Sequence, residues 1–149
     1  LNPSDYTRVY YNLPDGVYPE MLLWRHDKKV AGRADKIILT TWGYKPVRLA
    51  HIEDYKTNKR IRKQSWQNPD GTYDMMTGPL SHLMDCEYNH YALQLSIYQY
   101  MLEYFGFSAG NRTIIHFPHG IEGLDTPSPV RYSLPYLRNE VISMLSWMS

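Results

Sequence analysis

The chain has 149 residues, 43% of them hydrophobic, which fits one compact domain and excludes a disordered chain. A formal net charge of +1 excludes reading a partner from global electrostatics, and a single cysteine, Cys86, excludes an internal disulfide and suits a reducing, cytoplasmic compartment. No apolar run is long enough to span a bilayer, no signal peptide is visible, and 14 tyrosines and four tryptophans suit a wet binding surface as well as a core.

Pro3, Pro14, Gly16 and Pro19 mark residues 1–19 as loop with one short turn. "EMLLWR", Glu20 to Arg25, reads as a strand, and "HDKK" as a hairpin turn. Val30 to Thr41 is a second strand, in which Gly32 allows a bulge or a close backbone approach. "WGYKP" turns the chain into a third strand, Val47 to Thr57. Short connections make these three strands an antiparallel meander. Asn58 to Pro79 is polar, with "NPDG" and "TGP" as turn signals, and is too long for a passive connection.

The strongest helix runs from Tyr88 to Gly106. Leu93, Ile97, Tyr100, Met101 and Tyr104 recur at helical spacing on one apolar face. Asp85 or Asn89 is the expected cap at its start, and Gly106 its stop. Arg112 to Phe117 is a fourth strand, His119 to Pro129 a loop, and Val130 to Leu134 a fifth strand. Pro135 to Met148 closes the chain as a helix with the proline near its first turn. The order β-β-β-α-β-β-α predicts an α/β domain with no internal repeat.

Chemistry concentrates in three pieces: "AGRAD" on the second strand, "EDYK" on the third and "QLSIY" in the helix. Strand alternation sets Asp54 and Lys56 on one side of the sheet. Asp35 lies on the neighbouring strand of the meander and stands beside Asp54 if the register allows. Two close carboxylates repel each other, and a divalent cation with hard oxygen ligands, Mg²⁺ or Mn²⁺, relieves that. A lysine beside such an ion orients water or stabilises charge on a scissile phosphate. Gln94 and Tyr98, four residues apart, share a helix face.

"GRAD", then "DYKTNK", then "YALQLSIYQYMLE" resembles the PD-(D/E)xK nuclease superfamily, in particular its RecB-like branch with phage exonucleases. The resemblance covers about half the chain, Val30 to Glu103. It implies a restriction-endonuclease-like core, a mixed sheet flanked by the Gln94 helix and the C-terminal helix. It implies a metal-dependent DNA exonuclease of phage or bacterial DNA processing, acting in a bacterial or infected cell. Position by position, Asp35, Asp54 and the Tyr55 carbonyl would ligate Mg²⁺ or Mn²⁺. Lys56 would act on the attacking water, and Gln94 and Tyr98 would brace the site. An endonuclease of the same superfamily and a non-catalytic nucleic-acid-binding module are the alternatives.

Five of the sixteen basic residues fall in "KTNKRIRK", Lys56 to Lys63. The run is either a solvated loop or a phosphate-contacting patch in which Lys59, Arg60, Arg62 and Lys63 hold DNA. Trp66 and Tyr73 either stack on unpaired bases or anchor their loop by hydrophobic contact.

Two features depart from the pattern. Glu53 stands where the family has an apolar residue; alternation points it to the face opposite Asp54, where a charge is costly unless solvated or met by His51 or a basic side chain, and the alternative is a register in which Glu53 joins the site. A helical ligand that many RecB-like members carry upstream is not found among the 34 residues ahead of Asp35. Glu20 and His26 are the substitutes on offer, each equally readable as a solvent-facing edge residue. His82, Cys86 and His90 recur every four residues, but the helix begins among them, so a metal stripe is not expected. His116 and His119 in "HFPH" read as loop histidines, and the methionines of "MM" and of the closing helix as core or cap material.

Overall fold

A computed structural model describes residues 9–118 and 128–149; residues 1–8, His119 and most of the expected His119–Pro129 loop lie outside them. The elements are β1 (Gly16–Arg25), β2 (Val30–Trp42), β3 (Val47–Lys56), α1 (Glu87–Tyr104), β4 (Ser108–His116), β5 (Val130–Ser133) and α2 (Arg138–Met148). Among the described residues five strands form one mixed sheet in the order β1-β2-β3-β4-β5. β1, β2 and β3 are the expected antiparallel meander, and β5 pairs antiparallel with β4. β4 runs parallel to β3. A parallel neighbour needs a long crossover, and α1 lies within that connection.

Boundaries differ from the sequence expectation for local reasons. β1 starts at Gly16, not Glu20, and takes in Pro19 opposite Lys36. Proline is tolerated there because, among the described residues, β1 is an edge strand. β4 starts at Ser108, not Arg112, because Ser108 and Ala109 pair with Leu49 and Ala50 through the backbone. Neither Asp85 nor Asn89 caps α1. Cys86 is the capping residue without a side-chain bond, Asp85 pairs with His90 at 2.5 Å, and Asn89 Nδ2 donates to the Met84 carbonyl. Gly106 does end the helix. It has φ +101, its N–H donates to the Glu103 carbonyl and the next N–H, on Phe107, to that of Leu102, which is a Schellman stop.

α1 covers one face of the sheet. Leu23, Ala34, Ile37, Leu39, Ala50, Ile52 and Ile114 meet Ala92, Leu95, Met101 and Leu102 in the core. The buried set of α1 is wider than the expected stripe, and Ile97 and Tyr104 are only half-buried. The reason is the placement of α2. It packs on α1 and on the short turn Gly78–Leu80, not on the sheet as expected, and so buries a second side of α1. α2 also starts at Arg138 rather than Pro135. Ser96 holds the preceding segment: its hydroxyl donates to the Pro135 carbonyl at 3.4 Å and accepts from the Leu137 N–H at 2.9 Å. The methionines divide: Met21 and Met101 are core, while Met75, Met76, Met144 and Met148 line an open cleft of about 330 Å³ with Trp147.

One irregularity positions the chemistry. Met21 and Leu23 are buried opposite Ala34 and Gly32, yet further along Ile37 and Leu39 are buried opposite Tyr18 and Gly16. The in-and-out alternation therefore slips by one residue in both strands, between Ala34 and Ile37. Glu20 and Asp35 are the two positions skipped in the otherwise continuous pairing, and Glu20 has φ +50. A non-glycine residue in that region marks a local distortion.

Candidate active site

The end of β3 supplies the first two groups. Ala50, Ile52 and Asp54 alternate toward α1, so Asp54 is only 3% exposed. Lys56, two residues on, shares that side. Its Nζ lies 2.8 Å from Asp54 Oδ2 and donates to Gln94 Oε1 at 2.9 Å. It also sits 4.5 Å from the ring centre of Tyr91. Gln94 Nε2 donates to the Tyr98 hydroxyl at 3.3 Å. The Tyr98 ring in turn lies on Gly32, where an added Cβ would come within 3.0 Å of Tyr98 Cε1. The glycine of "GRAD" is thus the gap that admits the tyrosine of the helix.

Asp35 arrives from β2. The last β2–β3 pair is Lys36 with Glu53, so one further step of the register sets Asp35 opposite Asp54. Asp35 Oδ2 accepts the Tyr55 N–H at 3.1 Å. In a strand, N–H and C=O of one residue leave on the same side, so the Tyr55 carbonyl also faces the end of β2, past the last pair. Burial pushes the Asp54 carboxyl up to about 6; the Lys56 ammonium opposes this and the nearby Asp35 carboxylate adds to it.

Does this donor set suit a hard cation? Asp54 Oδ2 is buried, and although Lys56 is at ion-pair distance it receives no well-aligned hydrogen bond. Two neighbouring carboxylates, one with a buried oxygen that lacks a well-aligned hydrogen bond, are donors of the kind that suit Mg²⁺ or Mn²⁺. The set is small. Among the described residues no three His, Cys, Asp or Glu side chains gather at metal-binding spacing. Glu20 has an exposed side chain, and His26 lies exposed in the turn after β1. A hard cation at this position would be held by Asp35, Asp54 and the Tyr55 carbonyl, with other positions left to water or substrate oxygens.

Glu53 resolves by pairing. It is 8% exposed, and its Oε1 lies 2.8 Å from Lys36 Nζ while Oε2 pairs with Arg131 of β5. Burial alone would raise its carboxyl; the two cations outweigh burial and hold it below the usual range. His51 does not meet it. Its Nε2 pairs with Thr40 Oγ1, and its Nδ1 accepts the Asn111 N–H at 3.0 Å.

The basic run divides. Lys59, Arg60 and Arg62 line a cavity of about 290 Å³ with Asn58, Trp66 and Glu87. Arg62 is held by Glu87 at 3.0 Å and lies 4.8 Å from the Trp66 ring. Lys63 lies outside that cavity, against Tyr88 and Tyr132. Tyr73 is half-buried and bridges to Gln67 within its own loop. The spaced histidines do not converge: His82 pairs with Glu140 and His90 with Asp85, while Cys86 is buried. His116 is buried too, not a loop residue, with Nε2 2.5 Å from the Asn58 carbonyl.

Two site residues escaped the sequence reading. Tyr91 lies three residues before Gln94, so helical spacing alone could have found it. Asn58 could not be found that way: its amide donates to the Tyr91 hydroxyl at 2.6 Å only because the loop folds back on α1. No family model matches the chain, and no curated protein or solved structure matches it.

Proposed function

We propose that the chain is a metal-dependent DNA nuclease of restriction-endonuclease-like architecture, with Asp35, Asp54, Lys56, Gln94 and Tyr98 as its working residues. The observation that carries this reading is the Lys56 ammonium, held between Asp54 and Gln94 beside a second carboxylate. Separate strands and a helix bring these groups to one point, where Asp54 Oδ2 is buried at ion-pair distance from Lys56 but without a well-aligned hydrogen bond. Asp35, Asp54 and the Tyr55 carbonyl would hold Mg²⁺ or Mn²⁺, which supplies Lewis acidity toward water and phosphate oxygens. Lys56 holds the attacking water or a phosphate oxygen by its remaining N–H donors. Gln94 fixes the direction of that ammonium, and Tyr98 fixes Gln94. Preference for DNA ends, and the setting in phage or bacterial DNA processing, come from the resemblance of the three motifs to RecB-like exonucleases.

The test is incubation with end-labelled single- and double-stranded DNA under Mg²⁺, Mn²⁺ or a chelator. Chelator-sensitive shortening from an end is expected, lost in Asp54→Ala. Nicking of closed circular DNA would move the reading to an endonuclease. No cleavage under any condition would leave a binding module.

A further inference from the structure

We infer that the cavity beside Lys56 binds an unpaired nucleotide and selects single-stranded nucleic acid as the substrate, an inference that rests on the nuclease reading. Trp66 is 70% exposed, like Trp42 and Trp147, and differs from them in the basic side chains around it. The Arg62 guanidinium lies against it, fixed by Glu87, so the indole is backed by a cation and its remaining surface is open. Arg62 Nη1 has no hydrogen-bond partner. Lys59 and Arg60 are exposed at the same cavity, and among the described residues neither has a carboxylate partner. Glu87 is already matched by Arg62, so the lining is net positive.

This combination suits one base on the indole and one phosphate on the basic side chains. The volume of about 290 Å³ is at the small end for ligand pockets and suits a nucleotide rather than a helix. A paired base is stacked on both faces within its duplex and cannot reach Trp66 without leaving it. The cavity also adjoins the chemistry. Tyr91 carries Lys56 Nζ over its ring at 4.5 Å and accepts the Asn58 amide on its hydroxyl at 2.6 Å. Asn58 is itself a wall of the cavity. A nucleotide seated there places its chain next to Lys56.

The test measures binding without turnover. Fluorescence anisotropy of the full chain in chelator compares a short labelled DNA strand, the matching RNA strand and the blunt duplex. A single strand is expected to bind about tenfold tighter than duplex. Trp66→Ala should weaken single-strand binding about tenfold and leave duplex binding unchanged, while Trp66→Phe keeps most of it. Tight, Trp66-dependent binding of either DNA or RNA strand supports the inference. Equal or tighter duplex binding, or no effect of Trp66→Ala in a variant with an unchanged melting curve, overturns it. Failure here would leave chelator-sensitive cleavage standing, and absence of cleavage would leave the binding result standing.

Discussion

Gln94 on the helix holds Lys56 on the strand: the lysine Nζ donates to the glutamine Oε1 at 2.9 Å. A lysine side chain is long and mobile, and its ammonium can serve a reaction only if its position is fixed. Lys56→Ala should therefore abolish chelator-sensitive cleavage, a loss of about a hundredfold or more in kcat. Gln94→Ala should lower kcat about tenfold with KM nearly unchanged, because it removes positioning rather than substrate contact. Steady-state kinetics on labelled DNA separate the two. A Gln94→Ala enzyme changed only in KM would contradict the positioning role.

Asp54 should be a burden on the metal-free fold. Its carboxyl is raised from 3.8 to about 6, so the folded state holds the proton more tightly than the unfolded one. The sign follows: stability falls as pH rises from about 4 to about 6, because ionisation is then disfavoured in the folded state. The loss by neutral pH is about 1–3 kcal/mol. Asp54→Asn should therefore be the more stable protein in chelator at neutral pH, and the difference should shrink on acidification. Urea unfolding at several pH values measures it. Mg²⁺ or Mn²⁺ should restore stability to the parent chain and not to Asp54→Asn.

Glu53 should behave in the opposite way. Its carboxyl is held below the usual range, so its contribution is present at neutral pH and lost as pH falls through the folded value. Glu53→Gln should cost about 1–2 kcal/mol, since it leaves Lys36 and Arg131 without their shared anion. The exposure of Arg131 limits the effect. Cleavage should survive, because Glu53 faces away from Lys56. A Glu53→Gln protein that folds normally and does not cleave would place this residue in the site after all.

Two glycines should differ in their tolerance. At Gly110 an added Cβ would stand 2.4 Å from His51 Nδ1, displacing the ring and its bond from Asn111. Gly110→Ala should cost about 2–3 kcal/mol. At Gly32 the Cβ would stand 3.0 Å from Tyr98 Cε1, a contact the ring can relieve by moving. Gly32→Ala should cost about 1 kcal/mol and lower kcat by disturbing Tyr98 and Gln94. Thermal melts and kinetics together decide whether Gly32 serves the site or only the packing.

The meander and the Gln94 helix were legible because period and turn chemistry are local. Gly106 as a helix stop was legible for the same reason. The caps expected at Asp85 and Asn89 were not used, because His90 and the Met84 carbonyl compete for those side chains. The C-terminal helix was found but misplaced. An amphipathic pattern states that a face is buried and not against what, and here the partner is α1 rather than the sheet.

The sequence alone determined that Asp54 and Lys56 share a side, since strand alternation has period two. It also determined that Gln94 and Tyr98 share a helix face. Only the tertiary structure decided that Lys56 reaches Gln94, that Tyr98 lies on Gly32, and that Lys36 and Arg131 neutralise Glu53. It also decided which basic residues meet Trp66 and which turn elsewhere. Those contacts join residues far apart in the chain, and their geometry depends on register, on the slip at Asp35 and on where a long loop folds back. None of these is written in a local period.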